Sequence, residues 1–197
     1  MKTGMAENRD PRQVIIVAAK GLFARFGLGK TTMEDIARAS NKAKSTLYYY
    51  FKSKEDVFTS VIMLEIAGLK AAIGQAVRSE DDPGDRFRVF VETRLKYFSK
   101  KTDQYISIRE DYHKHHGLIN DLLDDYSQWE IATIKRILEY GSAKGVFDVH
   151  DFVGVSRGLF LALKGLEYPW VVDISKNELE KSTAILLDIL LKGVSRN

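Results

Sequence analysis

Thr31-Thr32-Met33-Glu34-Asp35-Ile36-Ala37-Arg38-Ala39-Ser40-Asn41-Lys42-Ala43-Lys44-Ser45-Thr46-Leu47-Tyr48-Tyr49-Tyr50-Phe51 is the stretch on which the fold turns. Thr31 and Thr32 stand three residues before Glu34 and Asp35, so either threonine can cap a short helix running to Ala39. Ser40-Asn41 supplies a turn, because Asn tolerates the left-handed backbone that closes a helix, and a further short helix is expected from about Ala43 to Tyr49. Two short helices joined by a tight turn make a helix-turn-helix, whose second helix enters the major groove of DNA. Helical spacing sends Met33, Ile36, Ala37, Leu47 and Phe51 into a small internal core and turns Lys42, Lys44, Ser45, Thr46, Tyr48 and Tyr49 outward. Hydroxyl and ammonium groups donate to phosphate oxygens, and a Thr methyl or a Lys head also reaches base edges. The same pattern, taken without its residue order, equally describes a helical hairpin with a solvated basic face.

On the N-terminal side, Val14, Ile15, Ala18, Ala19, Leu22, Phe23 and Phe26 recur at three- and four-residue steps, which predicts a helix over Arg12–Phe26 that stops at Gly27. On the other side, Ser53-Lys54-Glu55-Asp56 reads as a capping box opening a long helix toward Ser79. Further helices are expected near Asp85–Lys101, Asp103–His115, Leu118–Gly141, Asp151–Tyr168 and Asn177–Ser195. The three prolines, Pro11, Pro83 and Pro169, fall between these segments. The expected fold is therefore all-α with about nine helices, as a DNA-binding module over residues 1–52 and a larger helical effector-binding and dimerisation domain over residues 53–197.

Charge divides along the same line. Residues 1–52 hold 10 Lys and Arg against 4 Asp and Glu, a balance of +6, while residues 53–197 hold 20 against 23, a balance of −3. Basic charge gathered at one end suits a module that neutralises phosphates beside one that does something else. No cysteine is present, which removes disulfides, thiol catalysis and Cys-ligated zinc together. The N-terminus lacks the apolar stretch of a signal peptide, and Ile185–Leu191, read as the most apolar run, falls far short of the roughly 20 residues that span a bilayer. A cytoplasmic protein without a membrane partner is expected.

Thr31-Thr32-Met33-Glu34-Asp35-Ile36-Ala37, followed by Lys44-Ser45-Thr46-Leu47-Tyr48-Tyr49-Tyr50-Phe51-Lys52-Ser53-Lys54-Glu55, resembles the DNA-binding signature of the TetR family, over Arg12 to Val57. The resemblance implies a three-helix DNA-binding module on a larger helical domain, and a homodimeric repressor that binds a double-stranded operator and is released by a small-molecule effector. It also implies that Thr32 and Tyr49 hold phosphates, that Lys54 meets one at the start of the fourth helix, and that Lys44, Ser45, Thr46 and Tyr48 face the groove. Two positions depart from the family pattern. Lys42 stands where a small apolar residue is usual, and its charge is expected near the DNA backbone; Ala43-Lys44-Ser45 replaces Ser-Lys-Gly, and Ser45 alters how closely the helix approaches the bases.

In the C-terminal part, the helix from Asn177 is apolar on nearly every side around Ile185–Leu191, so something must cover its second face. Gly154, Gly158, Ala162 and Gly165 form a small-residue stripe on the preceding helix that permits close backbone approach. The eighth and ninth helices are therefore expected to pair with their copies as a four-helix homodimer interface, which suits a palindromic operator with recognition helices about 34–36 Å apart. The alternative is that the stripe packs inside its own subunit. Tyr97, Phe98, Tyr105, Tyr112, Tyr126, Trp129, Phe160, Tyr168 and Trp170 are the aromatic residues from which a mostly apolar ligand pocket could be walled. Of these, Tyr97, Tyr126, Trp129 and Phe160 are the expected ligand-binding residues, the alternative being that the aromatics are ordinary core.

An enzyme would have to be built on Asp111 and His115, which share a helix face and could ligate a metal, but two residues do not make a site. Phosphate-binding Gly loops, nucleophile elbows and His-Glu-x-x-His arrangements are missing from the sequence, so neither an enzyme nor a cofactor is expected. The remaining rival is a helical small-molecule-binding or scaffold protein without DNA binding.

Overall fold

Two Asp-Pro pairs begin helices in the same way. In the computed structural model, which describes residues 10–102, 116–165 and 176–196, Asp10 accepts from the Arg12 amide at 3.0 Å with Pro11 opening α1 (Pro11–Lys30), and Asp82 accepts from the Asp85 amide at 3.0 Å with Pro83 opening α5 (Pro83–Thr102). Proline suits the first helical position because the amide it lacks would find no partner there. Between them lie α2 (Met33–Ala39), α3 (Lys44–Tyr50) and α4 (Lys54–Arg78), and beyond them α6 (His116–Ala143), α7 (Phe152–Gly165) and α8 (Lys176–Val194). The described residues thus form eight helices and no strand, an all-α fold as expected. The helix expected at Asp103–His115, with Tyr105, Asp111 and Tyr112, lies outside the described residues, as do Tyr168, Trp170 and the side chain of Phe98.

The chain divides into two compact units, residues 1–68 with 98–123, and residues 69–97 with 124–197. In the first, Ile15, Ile16, Ala19 and Phe23 of α1, Ile36 of α2, Leu47 of α3 and Val57, Phe58 and Val61 of α4 form one continuous apolar core. Phe23 and Phe58 meet edge to face with ring centroids 5.3 Å apart. Gly27 breaks α1 as expected, with φ 77°, but one more turn through Lys30 follows it, and the buried Thr31 hydroxyl donates to the Gly27 carbonyl at 2.7 Å. Only glycine adopts such a φ without strain.

In the second unit, Phe87, Phe90 and Val91 of α5, Ile134, Ile137 and Leu138 of α6, Leu159 and Leu163 of α7 and Leu187 of α8 are buried. After α6 the chain turns at Gly145 (φ 72°) and folds the Phe147 ring against Gly141, where an added Cβ would stand 2.0 Å from a ring carbon. Glycine is required there by close approach. The same connection is tied to the end of α8, since the Asp148 amide donates to the Val194 carbonyl at 2.8 Å and the Arg196 amide to the Val146 carbonyl at 2.9 Å. Arg88 of α5 reaches Asp188 of α8 at 3.1 Å.

α4 corrects one reading of the sequence. It, and not Ile185–Leu191, carries the long apolar stretch, and by length and composition it is sufficient to cross a membrane. Its Val57, Phe58, Val61, Leu69 and Ile73 are instead buried in the cores described above, the role of a core helix.

Candidate nucleic-acid interface

Cap chemistry sets the position of α2 and α3. Of the two candidate caps, Thr32 takes the role: its hydroxyl oxygen accepts from the Asp35 amide at 3.2 Å, while the Asp35 carboxylate accepts from the Thr32 amide at 3.1 Å and the Thr32 hydroxyl at 2.6 Å. These bonds, the hydroxyl's first, hold the Asp35 carboxyl below the usual carboxylate range. Asn41 closes the turn with φ 51°, as its residue type predicts, and Ser40 returns its hydroxyl to the Ile36 carbonyl at 2.7 Å. The turn therefore delivers α3 at a defined angle.

The expected inner set is buried throughout: Met33, Ile36, Ala37, Leu47 and Phe51 all lie in the core. Leu47 is the pin of α3, the one residue of this seven-residue helix that is fully buried, with Tyr50 packed half-buried against the same core. The opposite face carries Lys44, Ser45, Tyr48 and Tyr49 exposed and Thr46 half-exposed, with Tyr49 82% accessible. Tyr49 stands edge to face on Tyr50 at 4.9 Å, which steadies a ring that otherwise projects into solvent. Lys42 is half-buried in the turn. An exposed row of hydroxyls and ammoniums on a helix pinned by one leucine is a surface that can donate hydrogen bonds to phosphates and base edges.

Three features of this surface were not read from the sequence. Lys44 forms an ion pair with Glu34 of α2, and their hydrogen bond holds the Glu34 carboxyl below its ordinary pKa and the Lys44 ammonium above its own. The Lys44 ammonium also lies 5.9 Å from the Tyr48 ring centroid. Lys54 turns inward in part, donating to the Leu28 carbonyl at 2.8 Å and the Gly29 carbonyl at 3.3 Å, and so fastens the start of α4 to the end of α1. Finally, α3 begins at Ala43 with no side-chain cap, because the alanine offers no oxygen to its first amides. The Ser53 box does form, in altered shape: the Ser53 hydroxyl accepts from the Asp56 amide, and Asp56 accepts from the Lys52 amide.

Of the residues expected to bind a ligand, Tyr126 and Trp129 are brought together, with rings stacked at 6.0 Å and the Lys70 ammonium 5.5 Å from the Trp129 centroid. Tyr97 is half-buried on α5, and Phe160 is half-buried on α7 with Lys164 at 5.4 Å. Tyr126 is fully buried, and its hydroxyl donates to Glu130 at 2.7 Å. Glu130 in turn holds Arg94, a buried pair that escaped the sequence reading although the spacing shows it. Arg94 follows Phe87, Phe90 and Val91 on the inward face of α5, and Glu130 shares the inward face of α6 with Tyr126, Ile134 and Ile137. No group of three or more metal-ligating side chains gathers among the described residues.

Comparison with known proteins places the chain. Residues 15–61 match the family model for bacterial regulatory proteins, tetR family. The probable acrEF/envCD operon repressor of Escherichia coli is 25% identical over 97% of this chain and 90% of its own length. The HTH-type transcriptional regulator QacR of Staphylococcus aureus is 24% identical over 92% of this chain and 97% of its own. The crystal structure of a transcriptional regulator from Cytophaga hutchinsonii matches the fold with a TM-score of 0.80 at 25% identity, covering 93% of this chain and 98% of that one. A TetR transcription regulator from Haloarcula marismortui shares the fold with a TM-score of 0.79 at 18% identity, over 95% and 99% of the two chains. The helix-turn-helix and its exposed donor face thus lie within the segment that matches the tetR family model, and over nearly its whole length the chain is similar to transcriptional regulators.

Proposed function

We propose that the chain is a ligand-responsive repressor that binds a palindromic operator as a homodimer and releases it when a largely apolar small molecule enters the domain of residues 53–197. The reading rests on one observation above others: α3 is pinned to the core by Leu47 and turns Lys44, Ser45, Thr46, Tyr48 and Tyr49 away from it. In this reading Tyr49 holds a phosphate, Thr32 holds another by turning its hydroxyl proton from Asp35 to the DNA, Lys44, Ser45, Thr46 and Tyr48 face the major groove, and Lys42 sits over the DNA backbone. An ammonium has three donors, so Lys54 serves both the α1 carbonyls and a phosphate.

Dimerisation through α7 and α8 is supported by what those helices leave outside. Val153 and Leu161 of α7 and Ile185 and Ile189 of α8 are exposed, and Gly158 and Gly165 have nothing within 4 Å of where a Cβ would stand. Four large apolar side chains beside open glycines suit close approach by a second copy. The effector's place is supported by the Tyr126 and Trp129 pair, and location in the cytoplasm follows from the work of a DNA-binding regulator.

Titration of the purified chain against its own upstream DNA and a random duplex, at two salt concentrations, tests the reading. Tight, upstream-specific binding that weakens with salt is expected, since phosphate contacts release counterions. Failure of either DNA to bind the ligand-free chain at low salt would leave a helical binding protein without DNA activity.

A further inference from the structure

Arg94, Tyr126 and Glu130 form a polar cluster in the interior of the second unit, each no more than 1% exposed. Arg94 Nε donates to Glu130 Oε1 at 2.5 Å, its Nη1 reaches the Leu163 carbonyl of α7 at 3.4 Å, and the Tyr126 hydroxyl donates to the same Oε1 at 2.7 Å. Arg94 thus ties the pair to α7 through the Leu163 carbonyl, and two donors, one from α5 and one from α6, meet on one carboxylate oxygen. The other, Oε2, is buried and meets no donor. A buried ion pair is repaid only when its remaining lone pairs are also met, and orphaned buried acceptors are rare in folded proteins. An apolar pair of similar volume would serve stability at least as well.

We propose that Glu130 Oε2 is the acceptor for the head group of the effector, which carries a hydrogen-bond donor, a hydroxyl or an ammonium, on an apolar body lying against Trp129. The inference rests on the effector reading proposed above. An ionised carboxylate only accepts, so this oxygen selects a donating head and repels a carboxylate of the same shape. Arg94 and Tyr126 are positioning residues: their bonds to Oε1 fix the carboxylate so that Oε2 alone is left for the ligand. Trp129, stacked on Tyr126 and only half-buried, offers the adjoining apolar wall.

The test uses the full chain bound to its upstream DNA and three probes sharing one apolar body, phenylbutanol, phenylbutylamine and phenylbutyrate, read by tryptophan fluorescence and by DNA release. The alcohol or the amine is expected to bind about tenfold or more tighter than the carboxylate, the worth of one hydrogen bond to a charged acceptor. Glu130→Gln, which keeps an oxygen for Arg94 and Tyr126 and presents an amide N–H in place of Oε2, is expected to reverse that order. The double variant Arg94→Met/Glu130→Met is expected to melt no lower than the parent while losing the head-group preference. Equal binding of the three probes, or an order unchanged in Glu130→Gln, would show that only water meets Oε2 and overturn the proposal. A double variant that melts well below the parent would overturn it too, by making the cluster structural. If none of the three probes binds while other apolar compounds still release DNA, this inference falls and the effector reading stands; if no compound releases DNA, both fall.

Discussion

The two units of the molecule differ in what their apolar cores enclose. The first buries an unbroken set of apolar residues from α1 to α4 and presents lysines, tyrosines, Ser45 and Thr46 outside. The second buries an arginine and a glutamate among its phenylalanines and leucines, and leaves Val153, Leu161, Ile185 and Ile189 in solvent. An apolar interior with a polar face suits a rigid reader of a polyanion, which gains from exposed donors on a fixed frame. A charged pair held inside an apolar core, with apolar side chains left outside, suits a part that recognises something inside it and covers something outside it.

The largest expected effect breaks the outer half of that comparison. Leu161→Arg together with Ile185→Arg places charges on a face that is exposed in the single chain, so the fold is retained. Light scattering is expected to report a monomer, and operator affinity to drop by about 10²–10⁴-fold as the second half-site becomes a separate binding event. An unchanged dimer would show that this face is not the interface.

Leu47→Ala strikes the inner half of the first unit. Removing the fully buried side chain that pins α3 is expected to cost about 2–5 kcal/mol, read as a fall in the denaturation midpoint, with DNA binding lost alongside. A variant that keeps its stability but loses DNA binding would mean that Leu47 orients α3 without holding it.

Lys44→Ala sharpens the comparison at the surface. If the ammonium exchanges Glu34 for a phosphate, the slope of log affinity against log salt is expected to fall by about one for this variant. Glu34→Gln is expected to act in the opposite direction, tightening binding at low salt, because it weakens the competing acceptor and removes a negative charge beside the DNA. Equal slopes for Lys44→Ala and the parent would leave Lys44 paired to Glu34 in the complex.

The smallest effect is a gain. Ala43→Ser supplies the absent cap of α3 and is expected to stabilise the first unit by about 1 kcal/mol, seen as a small rise in melting temperature. No rise would indicate that the open amides at the start of α3 are already well solvated.

Legibility followed the range of the interactions. The threonine cap of α2, narrowed by the sequence to Thr31 or Thr32, the Asn41 turn, the Gly27 break and the Ser53 box each involve residues within about four positions, and each was readable as residue types at fixed offsets. The inward set around Leu47 was readable for the same reason, since helical period alone assigns a face. The positions of Arg94 and Glu130 on inward faces were legible too, but a charged residue on an apolar stripe does not name its partner. Tyr126 and Trp129 were read as aromatic wall, and the hydroxyl that turns Tyr126 into part of a polar cluster was not.

What the sequence by itself determined was the all-α fold, the Gly27 break and the Asn41 turn of the first unit and the outward face of α3, because turns and periodicity act over a few residues along the chain. What only the tertiary structure decided was which of those outward and inward groups are already engaged: Lys44 by Glu34, Lys54 by the carbonyls of α1, and Arg94 by a glutamate 36 residues away. Such partnerships depend on the packing angle and register of separate helices, which many distant side chains set together and no local pattern encodes.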